Sequence, residues 1–137
     1  MTVIVTDSGF AADDWTGGFT KASDAANDVV ALDLPSNIDP ETVPLPATLK
    51  MIRVDFPSFA DGRGFTIARR LRLRGFAGRL RAKGHVISDQ YAMARRSGFD
   101  EVEIGDDLAA RQTEAEWQFR ADHQAHDYQS RLRRAAT

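Results

Sequence analysis

From residue 50 onward the apolar residues follow two alternating periods. Met51–Phe56 (MIRVDF), 79–83 (RLRAK) and 99–104 (FDEVEI) are short runs that read as strands. Between the first two, Gly64, Ile67, Ala68 and Leu71 fall at i, i+3, i+4 and i+7. That spacing marks one helix face and predicts a helix over 65–74, ended by Gly75 and Gly78. A second helix is predicted over 87–97, with Ser88 or Asp89 near its start and Gly98 as its stop. Short strands alternating with helices of this length predict βαβ units, right-handed crossovers and a mostly parallel sheet. Upstream, 3–5 and 28–34 (DVVALDL) read as strands, and 8–23 as a loop or an exposed hairpin. Pro35, Pro40, Pro44 and Pro46 make 35–47 a connector, with one helical turn begun by Asp39-Pro40-Glu41.

The tail from 108 to 135 lacks Gly and Pro, and Ala110, Trp117, Ala121, Tyr128, Leu132 and Ala135 recur at helical steps. It predicts a long C-terminal helix, unbroken or interrupted near 123–126, that packs on its own domain or on a partner. The expected fold class is therefore α/β. It is one domain over 1–137, made of N-terminal strands and connector (1–49), a βαβαβ core (50–105) and a C-terminal helix (106–137). The sheet is expected to be flavodoxin-like or half-barrel-like. A half-barrel exposes sheet edges and so admits a homodimer.

Composition narrows the chemistry. The 137 residues include no Cys, which excludes a disulfide scaffold, a thiolate zinc site and a cysteine nucleophile. No apolar run is long enough for a membrane span, and the first residues lack a basic secretory n-region, so a cytoplasmic location is expected. Walker, G-x-S-x-G and G-x-G-x-x-G patterns are absent. No cofactor and no metal are expected. His123 and His126 have a chelating i, i+3 spacing, but no third ligand is evident beside them.

The net charge of −2 hides a segregation: residues 1–60 carry a balance of −6, residues 61–96 of +8, and residues 97–137 of −4. Nine of the ten central cations are Arg. An Arg cluster fits carboxylate, phosphate or sulfate oxygens, or else pairs with the acidic thirds of its own chain. A pI near 5.9 and the lack of an aromatic-interleaved basic stripe argue against nucleic acid.

Asp61-Gly62-Arg63-Gly64 follows a strand and opens a helix, where backbone N–H groups and the helix dipole favour an anion. Two readings of it are open. In one, the glycines admit a ligand to the backbone and Arg63 binds it. In the other, Asp61 caps the helix, the glycines serve the turn, and Arg63 pairs with Asp55 or Asp89. Arg81, Gly84, Asp89 and Gln90 are assigned to the next strand-to-helix junction. In an open parallel sheet these loops share one crevice, so Asp61, Arg63, Arg81, Asp89 and Gln90 are expected to converge. His85, the one histidine near these loops, is a candidate acid or base.

Taken together, VDFPSFADGRGFTIARRLR from Val54, GFAGRLRAKGH from Gly75, Asp89-Gln90 and RRSGFD from Arg95 are specific. Over 29–104 the chain resembles the bacterial DUF934 family, whose members carry the label of an oxidoreductase involved in sulfite reduction. The chain departs from that pattern at His85, where an acidic residue is usual, at Ser97, where Cys is frequent, and at Ser88, where a basic residue is usual. The resemblance implies a setting in assimilatory sulfate reduction. With no cysteine and no flavin or nicotinamide fingerprint, the expectation is an accessory protein. It would bind sulfite reductase, another sulfate-assimilation enzyme or a small sulfur oxyanion through the Arg-rich face and the DGRG loop. The alternative is a small enzyme acting on a phosphate- or sulfate-bearing substrate at the same loops.

Overall fold

The computed structural model describes residues 2–121. Seven strands form one sheet in the order β2-β1-β7-β6-β5-β4-β3. They are β1 (Thr2–Thr6), β2 (Gly9–Ala11), β3 (Thr20–Lys21), β4 (Ala31–Leu34), β5 (Met51–Phe56), β6 (Arg79–Gly84) and β7 (Glu101–Gly105). Strands β3 to β7 are parallel and lie side by side in chain order, while β1 runs antiparallel to both β7 and β2.

Sequential parallel neighbours joined by right-handed crossovers put every connecting helix on one face. Helices α1 (Arg63–Leu73) and α2 (Tyr91–Ser97) accordingly share one core. From the sheet this core receives Leu32, Leu34, Ile52, Val54, Phe56, Leu80, Ala82, Val102 and Ile104; from the helices it receives Ile67, Ala68, Leu71, Tyr91 and Ala94. A flavodoxin-like sheet reverses its strand order at a switch point and carries helices on both faces. No reversal occurs within β3 to β7, so the strand order is not the flavodoxin-like one; the sheet is a single, mostly parallel one of an α/β domain.

Glycine stops both helices for the same reason. Gly75 and Gly98 adopt φ of +99° and +116°. In each case the next amide reaches back to a carbonyl of the last turn, Phe76 to Leu71 and Phe99 to Ala94, both at 3.0 Å. Arg72 then joins the two helix ends by donating to the carbonyls of Phe76, Gly78 and Gly98. The turn expected at Asp39 is a 3-10 turn over Pro40–Thr42, with Asp39 accepting the Glu41 amide.

The long C-terminal helix is not found as expected. Helix α3 (Asp106–Arg111) ends at Gln112, and α4 (Glu114–Ala121) starts anew. The break falls at Thr113, the head of a Thr-x-x-Glu start signal, and the Glu116 and Trp117 amides donate to its carbonyl. Trp117 is buried, sets its ring edge-on to Tyr91 at 6.0 Å, and donates to the Gln112 carbonyl. The tail thus turns back onto its own domain as far as Ala121. The interruption expected near 123–126, and the His123–His126 pair, lie outside the described residues.

Residues 12–19 connect β2 at one edge of the sheet to β3 at the other. Six strand spacings amount to about 28 Å along a flat sheet. The nine steps from Ala11 to Thr20 reach at most about 32 Å when fully extended. This strap is not fully extended: Asp13 accepts the Trp15 amide, and the Trp15 indole donates to the Gly18 carbonyl. It crosses the sheet on the face away from the helices, where Phe19 meets Arg53.

Candidate functional site

The strap covers a charged face. In β4 to β7 the residues that alternate with the core positions include Asp33, Arg53, Arg79, Arg81, Glu101 and Glu103, beside the buried Ala31 and Met51. The register places Asp33, Arg53, Arg81 and Glu101 on one rung across four strands. Arg53 forks onto Asp33 at 2.6 and 2.7 Å and reaches Glu103 at 3.1 Å. Arg81 donates to Glu101 at 2.6 Å and Glu103 at 2.9 Å, and Arg79 donates to Glu101 at 2.7 Å. Phe19 of the strap lies under the Arg53 guanidinium at 3.8 Å. Arg81 is 0% exposed, and a buried charge needs partners of this kind.

This placement corrects two expectations. Arg81 does not converge with the DGRG loop, because it sits inside β6 on the strap side of the sheet, one residue out of phase with the core positions. The Arg cluster is also not one open basic face. Of the nine arginines in 61–96, only Arg69 and Arg96 lack a partner among the described residues; carboxylates and carbonyls of the same chain hold the rest.

At the DGRG loop, Asp61 accepts the Arg63 backbone amide at 3.1 Å and the Arg63 side chain at 3.0 and 2.7 Å. Arg63 also donates to the Ser36 hydroxyl at 3.0 Å. This carboxylate fills the anion position at the start of α1, and Arg63 holds the Asp61 carboxyl far below the usual carboxylate range. Gly64 is a packing residue: a Cβ there would stand 2.3 Å from the Phe56 ring. Gly62 is open, with nothing closer than 3.8 Å to a Cβ. The expectation that Arg63 pairs with Asp55 or Asp89 gives way to the Asp61 pair.

At the next junction Gln90 accepts the Ile87 amide and donates to the Phe59 carbonyl, tying the loop before α2 to the loop after β5. Gly84 has φ of +111°, and a Cβ on it would lie 2.8 Å from the Phe56 carbonyl, so the site demands glycine. The same carbonyl accepts the His85 amide at 2.9 Å, and the exposed His85 ring meets Phe59 edge-on. Asp89 faces outward in a groove with Ala115, Glu116 and Phe119. Asp61 with Arg63, and Gln90, therefore brace neighbouring loops, and Asp89 lies apart from them.

The larger opening is a cleft of about 620 Å³ at the carboxyl ends of β3 to β6, on the strap side. Lys21, Asp33, Asp55 and Lys83 line it together with Leu34, Ile38 and Pro44. Asp33 is engaged by Arg53. Among the described residues neither Lys21 nor Lys83 has a carboxylate within 4.0 Å, and Asp55 stands opposite Lys83 in register. Sequence reasoning missed Lys21 and Lys83 as site residues. The available signal was their phase: Lys21 is the last residue of β3 and Lys83 the last but one of β6, each on the side opposite the core residues.

A family model described as "Bacterial protein of unknown function (DUF934)" matches residues 25–137. The chain belongs to the DUF934 family. No curated protein and no solved structure matches this DUF934 chain. The match spans β4 to α4, so it includes both junction loops and Lys83 but not Lys21 or the strap. Among the described residues no group of three or more His, Asp or Glu is placed to hold a metal, and no helix is long and apolar enough to cross a membrane.

Proposed function

We propose that this protein is an accessory of assimilatory sulfate and sulfite reduction that binds a small sulfur oxyanion between Lys21 and Lys83 and engages sulfite reductase. The observation that carries the reading is the pair of lysines, without carboxylate partners among the described residues, at the carboxyl ends of parallel strands, the end at which barrel-type sheets carry their sites. Two ammonium groups in a cleft with low-dielectric walls focus a positive field on a doubly charged anion. Asp55 adds selectivity. An ionised carboxylate only accepts hydrogen bonds, so it favours an anion carrying a proton, and sulfite exchanges with hydrogensulfite near neutral pH. Sulfate carries no proton there. The family resemblance supplies the sulfur setting.

Calorimetric titration of the full chain tests the reading. Sulfite and hydrogen phosphate should bind more tightly than sulfate. Lys21→Ala and Lys83→Ala should each weaken sulfite about tenfold, the effect of losing one ion pair of roughly 1.4 kcal/mol, with melting temperatures unchanged. Sulfite binding that ignores both lysines overturns the cleft assignment. A tagged protein drawn from its own cytosol should carry sulfite reductase and release it in salt; a salt-insensitive blank overturns the partnership. The Lys83–Asp55 juxtaposition also favours a second reading, a small enzyme using this pair as acid and base on a phosphate- or sulfate-bearing substrate. Turnover lost in Asp55→Asn would decide for it.

A further inference from the structure

The strap presents its two carboxylates to the charged face as a ligand would. Asp13 accepts a fork from Arg81, at 3.1 Å from one terminal nitrogen and 3.0 Å from the other. Asp14 accepts from Arg79 and lies 4.0 Å from Arg81. Arg79 and Arg81 are two residues apart on one face of β6, so their guanidinium groups form a single basic seat.

Beneath the strap the sheet is already balanced. Arg53, Arg79 and Arg81 face Asp33, Glu101 and Glu103, and the two strap carboxylates are in excess. Besides these ion pairs, the strap is held to the sheet by Phe19, whose ring lies under the Arg53 guanidinium at its downstream end. Among the described residues, the backbone of 12–19 makes no backbone hydrogen bond to the sheet. Its downstream anchor, β3, is two residues long. Asp14 is 69% exposed, so its ion pair is screened by salt. Gly17 and Gly18 give a hinge, Gly18 at φ of +68° with open space around it.

We propose that Arg79 and Arg81 form an anion seat that Asp13 and Asp14 occupy as a tethered internal ligand. A small doubly charged oxyanion of the sulfate class takes the seat when the strap lifts. The arginine fork matches two oxygens of such an anion as it matches a carboxylate. The seat is separate from the lysine cleft and does not depend on it. The tethered carboxylates compete at high effective concentration, which weakens the apparent affinity for a free anion. Removing a strap carboxylate therefore tightens binding, the opposite of what loss of a ligand-contacting residue does.

The test uses the full chain labelled with 5-fluorotryptophan, which places one fluorine on Trp15 in the strap and one on Trp117 in the core, followed by 19F NMR. The probe is sodium sulfate, with sodium chloride at matched ionic strength as reference. Sulfate should move the Trp15 resonance, assigned by Trp15→Phe, leave Trp117 in place, and do so equally in Lys83→Ala. That background separates failure of the seat from failure of the cleft. In Asp13→Asn the Trp15 resonance should start near its sulfate-bound position, and sulfate should titrate at about tenfold lower concentration if the strap is closed nine-tenths of the time. Asp14→Asn, which leaves the Arg81 fork intact, should tighten sulfate in the same direction and serves where Asp13→Asn does not fold. A Trp15 resonance that responds to sulfate no more than to chloride overturns the proposal, as does sulfate affinity unchanged or weakened in the folded Asp variant.

Discussion

Gly64→Ala tests whether the DGRG loop is built for packing or for a ligand. Alanine is the better helix former, and in an open helix the change gains up to about 1 kcal/mol. Gly64 is buried in the first turn of α1, and the added Cβ meets three Phe56 ring atoms at 2.3, 2.6 and 2.9 Å. Carbon contacts are comfortable only from about 3.5 Å, so the ring has to withdraw by roughly 1 Å. It has little room to do so. Phe56 is buried between Phe65, with centroids 5.0 Å apart, and Phe99 at 5.8 Å. Overpacking of this kind costs about 1–3 kcal/mol. With a contact as short as 2.3 Å the cost lies at the upper end of that range, and set against the propensity gain the expected outcome is a net loss of about 2 kcal/mol. Urea unfolding followed by far-ultraviolet circular dichroism reads it as a lower midpoint at unchanged slope. The cause is separable from the loss. In a Phe56→Leu background the obstacle is smaller, so the double variant should cost less than the sum of the singles by at least about 1 kcal/mol. A Gly64→Ala protein as stable as the parent, or strictly additive with Phe56→Leu, refutes the packing role. It would return this glycine to the task of admitting a ligand to the backbone.

Three further outcomes follow from the same contacts. Arg81→Met leaves Glu101 and Glu103 buried without their shared partner, and should cost about 3–5 kcal/mol in the same urea assay; a near-neutral result would mean the network is wetter than its burial indicates. The Ser97 hydroxyl is buried with no hydrogen-bond partner among the described residues, so Ser97→Ala should be neutral or stabilising by up to about 1 kcal/mol, and a clear loss in thermal melting would reveal a partner for it. The Arg81 hydrogen bond holds the Asp13 carboxyl below its ordinary 3.8, so its contribution is complete above that pH and is lost as pH falls through the folded value; the Trp15 signal should change over that acid limb in the parent and not in Asp13→Asn.

How much of this was legible depended on whether a residue's role was local. The apolar phase of 51–56, 79–83 and 99–104, and the i, i+3, i+4, i+7 face of α1, are written in neighbouring residues and led directly to the parallel core. So did Gly98, whose left-handed cap needs only the turn before it. Gly64 was rightly placed on the apolar helix face, yet its partner, Phe56, is set by how α1 lies on β5. The Arg81 error has the same origin. An Arg-x-Arg-x-Lys strand looks like a solvated face, because the polar side of a one-sided sheet usually meets water. What buries it is the partner set Glu101, Glu103 and Asp13, drawn from two other segments through a register that no single strand encodes.

One sequence signal did bear on that register. Acidic and basic residues share one rung across four separate strands, Asp33 against Arg53 and Arg81 against Glu101 with the two arginines side by side between them, each one position out of phase with the core. Opposite charges at equal depth on sequential strands imply a ladder, and a ladder wide enough to leave water needs a cover. Among the described residues the stretch that joins the two edges is 12–19, and it brings two more carboxylates and two aromatic rings, Trp15 and Phe19. The glycines and aspartates that mark it as a loop do not by themselves mark it as a cover. What assigns it is the strand order, since only a sequential sheet puts β2 and β3 at opposite edges and makes their short connection cross the charged face.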